Sequence, residues 1–160
     1  MPLKPSTFEY LLNLTGNINS LELEIDNLFE EDITSLEEKY RDAVPEVKER
    51  VSRYIERGTI AQKYKRKTGY KCQICEAMGL NPYSFKKTNG EYYIETHHVN
   101  PVSKLKAGSL STINLITVCA NHHRQLHYGN VEIKENTNEF FLFHIDGKYF
   151  KIPKYKIREN

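Results

Sequence analysis

The strongest constraint on how this 160-residue chain can fold is a set of four side chains in two distant pairs. Cys72-x-x-Cys75 and Cys119-x-x-His122 each have the spacing at which a zinc knuckle presents two ligands. All three cysteines of the chain fall in these pairs, which weighs against ordinary buried cysteines beside a chance histidine. A closed tetrahedral site needs four such ligands, so a structural Zn²⁺ draws the pairs together and staples the chain between them. The chain is polar, with 39% hydrophobic residues and a mean hydropathy of -0.64, and a modest core gains from such a staple.

The remaining histidines point to a second metal. His123 and His127 are i and i+4 on an expected helix over residues 120–128, so they share one face. His122 lies about 100° round the same helix and is free to serve the zinc site. His97 and His98 are neighbours at the end of an expected strand, so their side chains diverge. This suits a division of labour: His97, His123 and His127 hold a catalytic divalent metal (Mg²⁺, Mn²⁺, Ni²⁺ or Zn²⁺), and His98 stays available as a general base.

Such a set supports hydrolysis of a phosphodiester, with water deprotonated for in-line attack and a 3′-oxygen leaving group. Asn114 either orients His98 or braces the loop after it. Arg124 either neutralises phosphate charge or forms an exposed ion pair. Glu95, two residues before His97 and on the same strand face, either orients a ligating histidine from behind or lies on the surface. His144, in a Phe-rich strand, is expected to be structural.

Along the chain, helices are expected over residues 7–14 and from Ser20 towards Tyr40, with a third beginning at Pro45 and buried along Val47, Val51, Tyr54 and Ile55. Gly58 ends or interrupts it. Thr88-Asn89-Gly90-Glu91 predicts a two-residue hairpin joining residues 84–87 to a strand over 92–97. Strands are expected over 115–118 and 131–134, and a hairpin 140–145/148–152 turns at Asp146-Gly147. The expected domains are an acidic helical region, 1–60, for packing, dimerisation or tethering, and a second domain, 61–160, with its motif core at 70–129 and C-terminal strands at 131–152.

Charge divides at the same place. Residues 1–60 hold 7 Lys/Arg against 13 Asp/Glu, a balance of -6, and residues 61–160 hold 16 against 8, a balance of +8. The histidine-rich half is thus the basic one, as expected of a partner for a polyanion. Lys63, Lys65, Arg66 and Lys67, and Lys104 and Lys106 in the loop after Pro101, are candidates for contact with a DNA backbone. The competing reading is a solvated, charged surface. No apolar run approaches a membrane span, the first residues lack a signal-peptide pattern, and the cysteines fit a reducing compartment, so the expected location is cytoplasmic.

The pattern Cys72-x-x-Cys75, Glu95-Thr96-His97-His98-Val99-x-Pro101, Asn114-Leu115 and Val118-Cys119-Ala120-Asn121-His122-His123-Arg124-Gln125-Leu126-His127 resembles the HNH endonucleases in order, spacing and flanking residues. Restriction-type, McrA-like members, which cut DNA bearing modified cytosine, are the most similar in style. The resemblance implies an α+β fold. A ββα-metal nuclease core, stapled by a Cys₃His zinc site, follows a helical N-terminal region and precedes a C-terminal β-hairpin. It implies a metal-dependent DNA endonuclease of restriction or defence that leaves 5′-phosphate and 3′-hydroxyl ends. His98 is then the base, Asn114 the middle letter of the motif, and His97, His123 and His127 the metal positions. The chain departs from its relatives at His122, where they usually have cysteine, and in the loop 103–108, where they often carry paired glycines. Two-strand cleavage points to a homodimer through the N-terminal helices. Two other readings are a non-catalytic zinc-stapled DNA-binding module and a colicin-type nuclease toxin domain.

Overall fold

The computed structural model describes residues 39–40, 42–100 and 111–157, apart from the side chain of Tyr54. The helices expected before residue 39, and the candidates Lys104 and Lys106, lie outside the described residues.

Helix α1 spans Pro45–Arg57. Proline suits its first turn because the missing N–H has no intrahelical acceptor there. Val47, Val51 and Ile55 form the buried stripe expected of it. Gly58 interrupts the path, and α2 follows at Thr59–Lys67. After α2 the chain turns through Gly69 and Tyr70, both at positive φ (63° and 58°), and arrives at Cys72. A short helix, α3, occupies Gln73–Ala77.

The expected hairpin at Asn89-Gly90 is altered in two ways. Lys87 N–H donates to the Glu91 carbonyl at 2.8 Å, so the turn encloses three residues rather than two. Gly90, at φ 86°, takes the left-handed position such a loop needs. The arms pair only at the bridge Lys86–Tyr92, and the strand that follows, β1, is Glu95–His98 rather than residues 92–97. Tyr93 N–H donates to the Phe85 carbonyl at 2.8 Å, and stacking of Phe85 on Tyr93 and packing of Tyr83 against Tyr92 reinforce the arms.

A single 3₁₀ turn, Thr112–Asn114, leads into β2, Leu115–Val118, and then α4, Ala120–Tyr128. β1 and β2 pair antiparallel, with Glu95 opposite Val118 and His98 opposite Leu115. These two strands and α4 form the ββα unit. All three expected C-terminal strands form, as β3 (Val131–Asn136), β4 (Phe140–Ile145) and β5 (Lys148–Pro153), and β3 joins the hairpin in one three-stranded antiparallel sheet. Asp146 and Gly147 both have positive φ, as a tight hairpin turn between right-twisted strands requires. His144 stacks on Tyr149 in this sheet, and neither metal-ligand group includes it.

All four residues of β2 are buried, because the strand divides two cores. Leu115 meets Val51, Ile55, Ile60 and Tyr64 of the helices, and the Tyr64 hydroxyl donates to the Leu115 carbonyl at 2.6 Å. Ile116 and Val118, on the other face, pack with Ile74, Phe141, Phe143 and Ile152. Thr117 N–H donates to Gln73 Oε1 at 2.9 Å and its hydroxyl to the Lys71 carbonyl at 2.8 Å, which ties α3 to the strand.

The hairpin also carries a pH-sensitive contact. Lys87, Tyr70 and Asn89 donate to Glu91 and hold its carboxyl down at about 2, from an ordinary 4.5. A carboxyl lowered in the folded state contributes stability that is complete above its unfolded value and is lost as pH falls towards the folded one. Urea unfolding of Glu91→Gln should therefore show a shallower loss of stability than wild type between pH 5 and pH 2. Parallel acid limbs would rule the contact out.

Candidate active site

Two ligand pairs converge at the N-termini of α3 and α4. Cys72 and Cys119 occupy the N-cap positions, and each Sγ accepts a backbone N–H, from Cys75 at 3.4 Å and from His122 at 3.5 Å. Orphan donors at a helix start favour negative charge on sulfur. His122 Nδ1 lies 3.4 Å from Cys72 Sγ, 3.3 Å from Cys75 Sγ and 3.4 Å from Cys119 Sγ, and Cys75 and Cys119 are 3.9 Å apart. A tetrahedral zinc separates sulfur and nitrogen ligands by roughly 3.5–3.8 Å, so the donor set fits the ion. Burial pushes the Cys75 thiol up, and the neighbouring Cys72 charge adds to it. Burial also pushes His122 down, towards the neutral form that ligates.

The second group sits on the other side of α4. The rings of His97, His123 and His127 form a triangle with centroid separations of 5.0, 4.8 and 4.9 Å. Glu95 is bonded to His123 Nδ1 and to the Tyr93 hydroxyl. A carboxylate only accepts, so His123 carries its proton on Nδ1 and its Nε2 lone pair faces His127 Nε2, 3.2 Å away. The buried Nδ1 of His97 finds no hydrogen-bond partner among the described residues. Burial holds His97 down at about 4; Glu56 opposes this, and the neighbouring histidines add to it. Burial, with His123 next, lowers His127 too. Three imidazoles turned inward, two of them held neutral, fit a divalent cation. Glu95 itself is pushed up by burial, but Tyr93, His123 and Arg124 outweigh this and leave its carboxyl below the ordinary range.

Strand alternation separates His98 from this triangle. Glu95 and His97 face α4, whereas Thr96 and His98 are buried against α1. There His98 Nδ1 lies 2.9 Å from Glu56 Oε1 and 2.8 Å from Ser52 Oγ, and His98 N–H donates to the same Glu56 oxygen at 2.9 Å. Glu56 is pushed up by burial, yet its bonds to His98 and the charge there bring it below the ordinary carboxylate range. The His98 side chain is 2% exposed and does not line the adjoining cleft; Glu56 does.

Asn114 braces the loop after β1, as one of its two expected tasks requires. Its side chain accepts from Asn100 N–H at 2.9 Å and donates to the Asn100 carbonyl at 3.1 Å, and its own carbonyl accepts from Val99. It clamps the chain as it leaves β1. The cleft, about 870 Å³, is lined by Glu95, His123 and His127, and by Arg53, Arg57, Lys65 and Arg124. Lys65 thus reaches it; Lys63, Arg66 and Lys67, on the same helix, do not line it.

The sequence reading passed over Ser52, Arg53, Glu56 and Arg57. A signal was present, because Ser52 and Glu56 stand i and i+4 directly beside the apolar seam of Val51 and Ile55. Polar side chains so close to a buried stripe need a polar partner.

Residues 72–129, which hold both donor sets, match the family model for HNH endonuclease. Over 55 residues the chain is 44% identical to the Type IV methyl-directed restriction enzyme EcoKMcrA of Escherichia coli (strain K12). That similarity covers 34% of this chain and 19% of the relative, so the chain spans about a fifth of the length of the relative it matches. No solved structure matches the chain. Among the described residues no helix is long and apolar enough to cross a membrane.

Exchange of the adjacent histidines separates the two metal positions. His122→Ala should lose bound zinc and its cooperative thermal transition, since a structural zinc supplies folding free energy. His123→Ala should keep both. Metal content and melting temperature of the two variants check this, and retention of zinc by His122→Ala would remove it from the ligand set.

Proposed function

We propose that the chain is a metal-dependent DNA endonuclease of the restriction type, with the cleft beside the histidine triangle as its site. The observation that carries this reading is the triangle itself: three inward-facing imidazoles beside a cleft lined with four cationic side chains. A neutral core has no use for that arrangement, whereas a phosphodiester presents the matching negative charge.

A divalent metal held by His97, His123 and His127 would supply charge stabilisation to the phosphate and to the leaving oxygen. Arg53, Arg57, Lys65 and Arg124 hold the phosphates of the backbone. Glu95 keeps the His123 proton on Nδ1 and so directs Nε2 inward. His98 accepts the proton of the attacking water. The water oxygen bonds to phosphorus, and the P–O3′ bond breaks with its electron pair on the 3′-oxygen. The products are a 5′-phosphate and a 3′-hydroxyl. Cys72, Cys75, Cys119 and His122 hold zinc and carry no chemistry. The relative is a methyl-directed restriction enzyme, and DNA carrying methylated cytosine is the substrate proposed here.

A second reading is a zinc-stapled DNA-binding module without catalysis. The burial of His98 behind Glu56 supports it, because a base must reach water.

Incubation of supercoiled plasmid, methylated and unmethylated, with Mg²⁺, Mn²⁺ or Ni²⁺ separates the readings. The wild type should nick the plasmid, and His98→Ala should be slower by about 10²–10⁴-fold, the usual contribution of a general base. Equal inertness of the two proteins on both plasmids would leave the binding module.

A further inference from the structure

We infer that Glu56, on α1 and outside the matched segment 72–129, is a positioning residue that holds the His98 imidazole in one tautomer and orientation. The inference rests on the proposed role of His98 as base and extends the site to a helix that the HNH motif does not contain.

Three contacts fix Glu56 on β1. The Thr96 hydroxyl donates to the Glu56 carbonyl at 2.6 Å, and both the backbone N–H and the ring Nδ1 of His98 lie 2.9 Å from Glu56 Oε1. The alternation of β1 makes this possible, since Thr96 and His98 are the two residues of the strand turned to α1. An ionised carboxylate accepts and never donates. The proton of a neutral His98 therefore sits on Nδ1, and Nε2 carries the basic lone pair. Ser52 does not compete for this role. Its hydroxyl can either give or take a hydrogen bond and so imposes no tautomer.

A serine-nucleophile arrangement is excluded by the same geometry. Ser52 and Glu56 both meet His98 at Nδ1, whereas activation of a serine through the ring requires the carboxylate and the hydroxyl on opposite nitrogens. Ser52 on α1, His97 on β1 and, across the cleft, His127 on α4 face the His98–Glu56 pair. Glu56 bonds to the His98 ring and also lines the cleft. The base and the substrate site thus meet at this one side chain.

Glu56→Ala, Glu56→Gln, His98→Ala and the double variant Glu56→Ala/His98→Ala, all in the full chain, test the assignment. Plasmid cleavage is read together with zinc content and the ¹⁵N tautomer signature of the His98 ring. In Glu56→Ala, turnover should fall roughly 100-fold with zinc content and KM for DNA unchanged, and Glu56→Gln should fall between it and wild type. The double variant should be no slower than His98→Ala, because residues that act as a unit are not additive. The His98 ring should be Nδ1-protonated in wild type and lose that signature in Glu56→Ala. Cleavage by Glu56→Ala at or above the wild-type rate would overturn the inference, since the carboxylate would then be covering the base. Multiplying losses in the double variant would overturn it too, as would an unchanged ring tautomer. If the wild type itself does not cleave, the proposed function fails, while the tautomer comparison still decides whether Glu56 sets the His98 ring.

Discussion

The site depends on one elementary constraint: neighbouring residues of a strand point to opposite faces, and neighbouring residues of a helix point about 100° apart. Two adjacent histidine pairs meet these two rules. On β1, His97 turns to α4 and His98 to α1. On α4, His122 turns inward to three thiols, while His123 turns to His97 and is joined there by His127 one turn later. The thiol–imidazole cluster and the imidazole triangle thereby share one helix without sharing a ligand. A slip of one residue in β1 would exchange the faces of His97 and His98, and the register of β1 against β2 prevents this.

That register is secured from both sides. Leu115 is locked to the helices and Ile116 and Val118 to the C-terminal sheet. The thiol–imidazole cluster ties the start of α3 to the start of α4, and Asn114 clamps the chain leaving β1. With so little apolar core, these polar ties do much of the positioning. They involve few residues, so the loss of one is felt across the site.

Much of this was legible in the sequence because periodicity and ligand spacing are local. The bounds of β2 and α4, the buried stripe of α1 and the interruption at Gly58 follow from patterns within a few residues. The grouping of Cys72, Cys75, Cys119 and His122 follows from knuckle spacing, although the pairs are far apart in the chain. What was missed depends on tertiary contact. The start of β1 lies later than expected because the arms of the preceding hairpin form a single bridge, supported by aromatic packing, rather than an extended ladder. Glu56 and Arg57 were read as part of an acidic extension, because nothing within α1 reveals which face of β1 it will cover. The hold of Asn114 on Asn100 is likewise a tertiary contact, which the motif alone does not specify.

Helix α4 carries a thiol-rich donor set for zinc on one side and an all-imidazole set on the other. X-ray absorption at the zinc edge, on protein washed with EDTA, tests it most directly. One zinc per chain should be retained, with three sulfur neighbours at about 2.3 Å and one nitrogen at about 2.0–2.1 Å. A folded protein that retains no zinc, or a retained zinc ligated by nitrogen and oxygen alone, would contradict it.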